Sequence, residues 1–182
     1  VGRNFITENG AYVDAYWNSL HIKYSRDLNG FDGRFDSAAK FYSKIQKYQF
    51  IKEHQTTKYV LFDEGLVHDL GGRVPIHQNS LQKSFEDIHT LLPFMPLPAM
   101  LILIDTDIDI ILKRLNARTK VLQMHKEKSE KELLELTQIV KSRFGYIKNQ
   151  LLEKNIPVLL IDANENVESN TIKINQFLKQ IS

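Results

Sequence analysis

The sequence predicts an α/β domain in which a parallel sheet is covered by helices on both faces, a three-layer α/β/α arrangement. Three apolar runs predict it: Tyr59-Val60-Leu61-Phe62, Met100-Leu101-Ile102-Leu103-Ile104 and Val158-Leu159-Leu160-Ile161. Their hydrophobicity is continuous rather than alternating, as a strand buried on both faces requires. Each run ends on an aspartate, Asp63, Asp105 or Asp162, and is followed by a polar turn and a helix-length segment. Ligands in such sheets bind beyond the carboxyl ends of the strands, so the three aspartates mark a candidate active edge.

Taken in order, Asn4 to Thr7 reads as a short strand or a loop. Ala11 to Arg26 reads as a helix with Tyr12, Tyr16, Leu20 and Tyr24 along one stripe. Asn29 to Gly33 is a turn by composition, and Asp36 is the expected cap of a second helix running to about Glu53. The first strand is expected over Lys58 to Asp63. Glu64 to Gln78, interrupted by Gly65, Gly71, Gly72 and Pro75, reads as a loop or broken helix. Asn79 or Ser80 caps a helix through about Leu92, which Pro93, Pro96 and Pro98 then end.

The second strand is Ala99 to Ile104, and Thr106 is the expected cap of a helix from Asp107 to about Ala117. Thr119 to Lys128 is a polar connection, and Lys126 to Lys131 is a mixed-charge, solvated face. Ser129 with Glu132 three residues later is a capping box for a long helix to about Lys154. Pro157 opens the third strand, and a helix over about Val167 to Ile181 closes the chain. Strands separated by helices in this order indicate right-handed parallel crossovers.

The totals set bounds. The 182 residues suit one domain, with no repeat or linker to suggest a second. A net charge of +2, from 24 basic and 22 acidic side chains, gives no global attraction to nucleic acid or membrane. No run approaches the roughly 20 apolar residues that cross a bilayer, and no signal pattern begins the chain. The absence of cysteine excludes disulfides, thiolate metal sites and a cysteine nucleophile, and fits a cytoplasmic compartment. Oligomeric state is left open.

Chemistry concentrates in three places. Asp63 and Glu64, an acidic pair at a strand end before Gly65, suit a magnesium-bound water or a proton taken from an attacking hydroxyl; capping of the next turn is the plainer role. Arg114 and Arg118, four apart near a helix end, suit phosphate oxygens, though arginines there also offset the helix dipole. Asp162-Ala163-Asn164 forms a turn able to read a base edge, or an ordinary turn. Arg34, Arg73 and His68 are weaker candidates for a substrate anion. Trp17, Tyr12 and Tyr16 read as helix packing, with stacking on a base as the alternative.

Together these segments, over about residues 58 to 182, resemble the P-loop kinases of nucleosides, nucleotides and small metabolites. The resemblance lies in their order: a strand ending in Asp63, an acceptor-side helical region, a second strand ending in aspartate, the arginines Arg114 and Arg118 before a lid, and a late turn Asp162-Ala163-Asn164. It implies a P-loop NTPase fold and ATP-dependent phosphoryl transfer to a small-molecule acceptor, with ATP and Mg2+ as cofactors. It further implies Asp63 at magnesium or the acceptor hydroxyl, Arg114 and Arg118 on the phosphates, and Asp162, Ala163 and Asn164 beside the adenine. Residues 10–55 and 64–92 would shape the acceptor pocket, with Arg34, His68 and Arg73 as substrate contacts, and residues 114–130 would form the lid.

Two departures qualify it. Many relatives have an arginine after the strand-end aspartate, where Glu64 and Gly65 follow here. No G-x-x-x-x-G-K-[ST] occurs, although that loop cradles the donor phosphates. With Val1 as first residue, the expectation is an upstream strand, phosphate loop and helix, the strand lying between residues 58–63 and 99–104. A non-catalytic nucleotide-binding or regulatory domain and a sulfotransferase are the rival readings.

Overall fold

The computed structural model describes residues 2–24, 30–54, 59–73, 81–119 and 128–181. The chain divides into two compact units, Val1–Leu97 and Pro98–Ser182. The protein is mixed α/β and mostly helical, with one two-stranded parallel sheet among the described residues. No described helix is long and apolar enough to cross a membrane.

The N-terminal unit is helical: α1 (Gly2–Glu8), α2 (Gly10–Tyr24), α3 (Gly30–His54), α4 (Leu66–Arg73) and α5 (Leu81–Leu91). Of the stripe expected on α2, Tyr12, Tyr16 and Leu20 are buried, and the Tyr24 side chain lies outside what is described. Phe41 of α3 is fully buried and stacks on Tyr16 at 3.9 Å between ring centroids, 11° from parallel. Phe5 of α1 meets Tyr48 edge-on at 5.5 Å, so aromatic packing joins α1, α2 and α3. Aromatic pairs of this kind add about 0.5–1.5 kcal/mol each beyond the area they bury. Leu66, Val67 and Leu70 of α4 and Ile88 and Leu91 of α5 extend the core.

Four local expectations are corrected here. Asn4 to Thr7 is helical within α1, where Asn4 donates to Glu53 and Glu8 pairs with Lys52 at 2.6 Å. The turn expected at Asn29 to Gly33 is helical from Gly30 onward. Asp36 is therefore not a cap but sits inside α3, paired with Lys40. The Glu64 to Gln78 segment, read as a loop or broken helix, is helical over α4, which runs through Gly71 and Gly72. Largest of all, Tyr59 to Asp63 forms no strand: residues 59–62 lack regular structure and 63–64 form a turn. Val60 and Leu61 are 41% and 85% exposed. A strand is held by backbone bonds to a neighbour, and among the described residues none lies beside this run.

The C-terminal unit runs β1 (Leu101–Asp105), α6 (Ile108–Asn116), α7 (Glu130–Glu153), β2 (Val158–Asp162) and α8 (Val167–Gln180). β1 and β2 pair in parallel, with Leu101 opposite Val158 and Asp105 opposite Asp162. The bonds Leu101 N–H to Pro157 O and Ala163 N–H to Asp105 O, both 2.9 Å, fix the phase of the ladder. Odd-numbered residues of β1 thus bond to β2, and the amides and carbonyls of Ile102 and Ile104 face away. Burial in this unit is thinner, with Ile147 and Leu151 of α7 and Ile161 of β2 as its buried apolar side chains among the described residues. Ile104 is 68% and Leu160 44% exposed.

The capping box forms: Glu132 N–H donates to Ser129 Oγ, and Ser129 N–H donates to the Glu132 carboxylate at 2.7 Å. Such a cap contributes about 1 kcal/mol. Thr106 is not the cap of α6. Asp107 holds that position, and the Thr106 amide instead donates to Asp105 Oδ1 at 2.9 Å.

Candidate functional site

Two places carry the chemistry, one in each unit. In the C-terminal unit it lies at the tips of β1 and β2. In-register parallel pairing sets the backbones of Asp105 and Asp162 opposite one another at the strand tips, where an exposed carboxylate is held by a nearby cation or donor. Lys141 of α7 supplies the cation, 2.7 Å from Asp105 Oδ1, and also donates to the Thr106 carbonyl. That contact, reinforced by the Thr106 amide, holds the Asp105 carboxyl below the usual carboxylate range.

Asp162 is satisfied differently. Its Oδ1 accepts from the Asn164 amide at 2.8 Å, closing an Asx turn, and its carbonyl accepts from Asn170 of α8. Arg114 of α6 reaches this turn, donating from Nη2 to the Ala163 carbonyl at 3.3 Å. So Arg114 and the turn Asp162-Ala163-Asn164, its bonded residue Ala163 49 positions along the chain, share one location. Arg118 lies beyond the end of α6 and is exposed. The expected lid over 114–130 falls largely on residues 120–127, outside the described residues.

In the N-terminal unit Asp63 and Glu64 line an open groove of about 690 Å³ between α3 and the segment Leu61–Glu64. Phe50, Ile51, Leu61 and Phe62 supply its apolar wall, and Lys44 and Lys47 face it from α3. Volumes of 300–1,000 Å³ with a few placed polar groups are typical of small-molecule sites. Glu64 adopts a left-handed backbone, φ 49°, a conformation that costs a residue with a Cβ about 1 kcal/mol or more. His68, on α4, lies 4.0 Å from the Glu64 carboxylate. Arg73 is the last residue of α4 and Arg34 lies in the first turns of α3.

Several participants gave no sequence signal. Lys141 meets Asp105 across 36 positions of chain, and no local pattern marks such a pairing. Lys44 pairs at 2.6 Å with Asp69, which is almost fully buried. Arg143 of α7 is fully buried, in a stretch that periodicity alone describes as amphipathic helix. Lys47 lies one turn from the aromatic Phe50, an i, i+3 pair visible in the sequence once the helix is known. Among the described residues no group of three His, Cys, Asp or Glu side chains is arranged to hold a metal ion. Comparison of the chain with family models, with curated proteins and with solved structures finds no match.

Proposed function

We propose that the protein is a phosphotransferase of the P-loop kinase type, moving the γ-phosphoryl group of ATP to a hydroxyl of a nucleotide, nucleoside or other small metabolite. The observation that supports it best is the in-register parallel pairing of β1 and β2, with Arg114 bonded to the turn beyond their tips. That edge is where a parallel sheet takes ligands. In this reading the architecture is the three-layer P-loop NTPase type, and Asp162, Ala163 and Asn164 border the base. With the Asn164 amide engaged by Asp162, the exposed Asn164 side chain and the Ala163 carbonyl are the groups left for that contact.

In the transfer, the acceptor oxygen bonds to the γ-phosphorus as the bond to the bridging oxygen breaks and ADP leaves. The hydroxyl proton passes to Asp63, with Glu64 assisting. The Asp63 carboxylate is exposed and, among the described residues, makes no hydrogen bond or ion pair, so it is available as an acceptor. The same carboxylate suits Mg2+, which takes one or two carboxylates along with phosphate oxygens and, when bound, neutralises their charge. In this reading Arg114 and Arg118, within the C-terminal unit, offer guanidinium donors to phosphate oxygens.

One observation favours a second reading, a nucleotide-binding domain without catalysis: Arg114 and Asp105 are already engaged in bonds that hold the fold. The 182 residues contain no G-x-x-x-x-G-K-[ST], the loop that cradles donor phosphates, so ATP turnover is the property to test. Magnesium-dependent ATP turnover is expected to fall roughly 10²–10³-fold in Arg118→Ala, the effect of removing one charge-stabilising donor. Unchanged turnover in that variant removes its lid role. Binding of Mg-ATP without turnover favours the non-catalytic reading, and tight binding of a 3′-phosphorylated adenylate favours a sulfotransferase.

A further inference from the structure

The groove of the N-terminal unit has a charge pattern that its own residues leave uncompensated. α3 carries four lysines, and three of them hold carboxylates: Lys40 with Asp36, Lys44 with Asp69 and Lys52 with Glu8. Among the described residues Lys47 has no such partner, yet it lines the groove. Asp63 lines the same groove, also unpaired among the described residues. The same groove has an apolar wall in which Phe50 stays 55% exposed, although His54 stacks on it at 4.5 Å. Leu61 is 85% exposed beside it.

An unpaired cation, an unpaired anion and apolar side chains lining one groove complement a ligand that is polar at both ends and planar between. We propose that the groove is the acceptor site and that the acceptor is a hydroxylated ring compound carrying one phosphate or carboxylate. The anion sits at Lys47, the ring lies against Phe50 and Phe62, and the hydroxyl donates to Asp63. Orientation follows from charge: reversal would bring the ligand anion against Asp63 and Glu64 and leave Lys47 uncompensated. A lysine serves here as a point charge and accepts either anion, whereas a guanidinium fork would select for geometry. The hydroxyl's role as acceptor rests on the phosphotransferase reading; the binding does not.

Isothermal titration of the intact chain tests it with 4-hydroxyphenyl phosphate and 4-hydroxybenzoate as probes, against phenol and inorganic phosphate. At least one of the two ring anions is expected to bind ten times more tightly than phenol and inorganic phosphate, and which one does identifies the anion. Lys47→Gln is expected to weaken that binding about tenfold, and Lys40→Gln, at an exposed position on the same helix, to leave it unchanged. Inorganic phosphate binding as tightly as the ring anions overturns the proposal. So does equal affinity in Lys47→Gln, or equal losses in both lysine variants. Binding that fails while ATP turnover still depends on Arg118 removes only the groove assignment. Binding that depends on Lys47 in a protein without ATP turnover removes only the kinase reading.

Discussion

The two units bury their apolar residues by different rules. In the N-terminal unit helices with aromatic stripes interlock, and Phe5, Tyr12, Phe41, Ile45, Leu70 and Ile88 are each at most 1% exposed. In the C-terminal unit the most apolar segments are the two strands, yet of their eight apolar residues only Ile161 is buried. The difference teaches that a hydrophobic run is not itself a core. A helix satisfies its own backbone and needs only a partner face, while a strand needs a bonded neighbour at each edge and a cover on each face.

The comparison can be broken most directly by truncation. Phe41→Ala should cost about 3–5 kcal/mol, and Leu160→Ala, on a strand residue 44% exposed, under about 1.5 kcal/mol, both from denaturant midpoints. Equal losses would mean the strands are as deeply packed as the helical core. Next in size is Glu64→Gly, which relieves the left-handed backbone beside the groove and should raise stability by about 1 kcal/mol. A loss instead would show that the Glu64 side chain contributes more to stability than its conformation costs.

The smallest effect distinguishes the units by pH. The Asp105 carboxyl titrates below its unfolded value, so the stability that Lys141 lends it is fully present above the ordinary carboxylate range. That stability is lost as pH falls through the lowered value. With Asp105 about half exposed, the pair contributes at most about 1 kcal/mol. Lys141→Met should flatten the acid limb of the stability curve by that amount, measured by chemical unfolding between neutral and acid pH. An unchanged acid limb would show that Lys141 is not what lowers Asp105.

What the sequence made legible was local. Strands at 101–105 and 158–162 could be read because Ile, Leu and Val run unbroken into an aspartate, and Ser129 with Glu132 because a capping box is complete within four residues. The failures are non-local or run against propensity. Tyr59 to Phe62 has strand composition, but composition cannot say whether a neighbour exists to bond it. α3 starts at Gly30, through two glycines that disfavour helix, and so hides its first turns. Of the candidate site, Arg114 and the Asp162 to Asn164 turn were each readable, but their contact across 49 residues was not. Lys47 and Lys141 were ordinary helical lysines until their surroundings were known.

The ladder's phase has a last consequence, for growth of the sheet. On the outer side of β2 the Asp162 carbonyl is already taken by Asn170, so that flank is partly closed. Among the described residues the flank of β1 offers the Ile102 and Ile104 backbone groups, with a 68% exposed isoleucine among them. Any segment that lengthens this sheet by hydrogen bonding therefore has its opening beside residues 101–105. If it lies parallel, its carboxyl end arrives next to the twin aspartates, so whatever loop follows it would be delivered to the tips where Arg114 and Lys141 already converge.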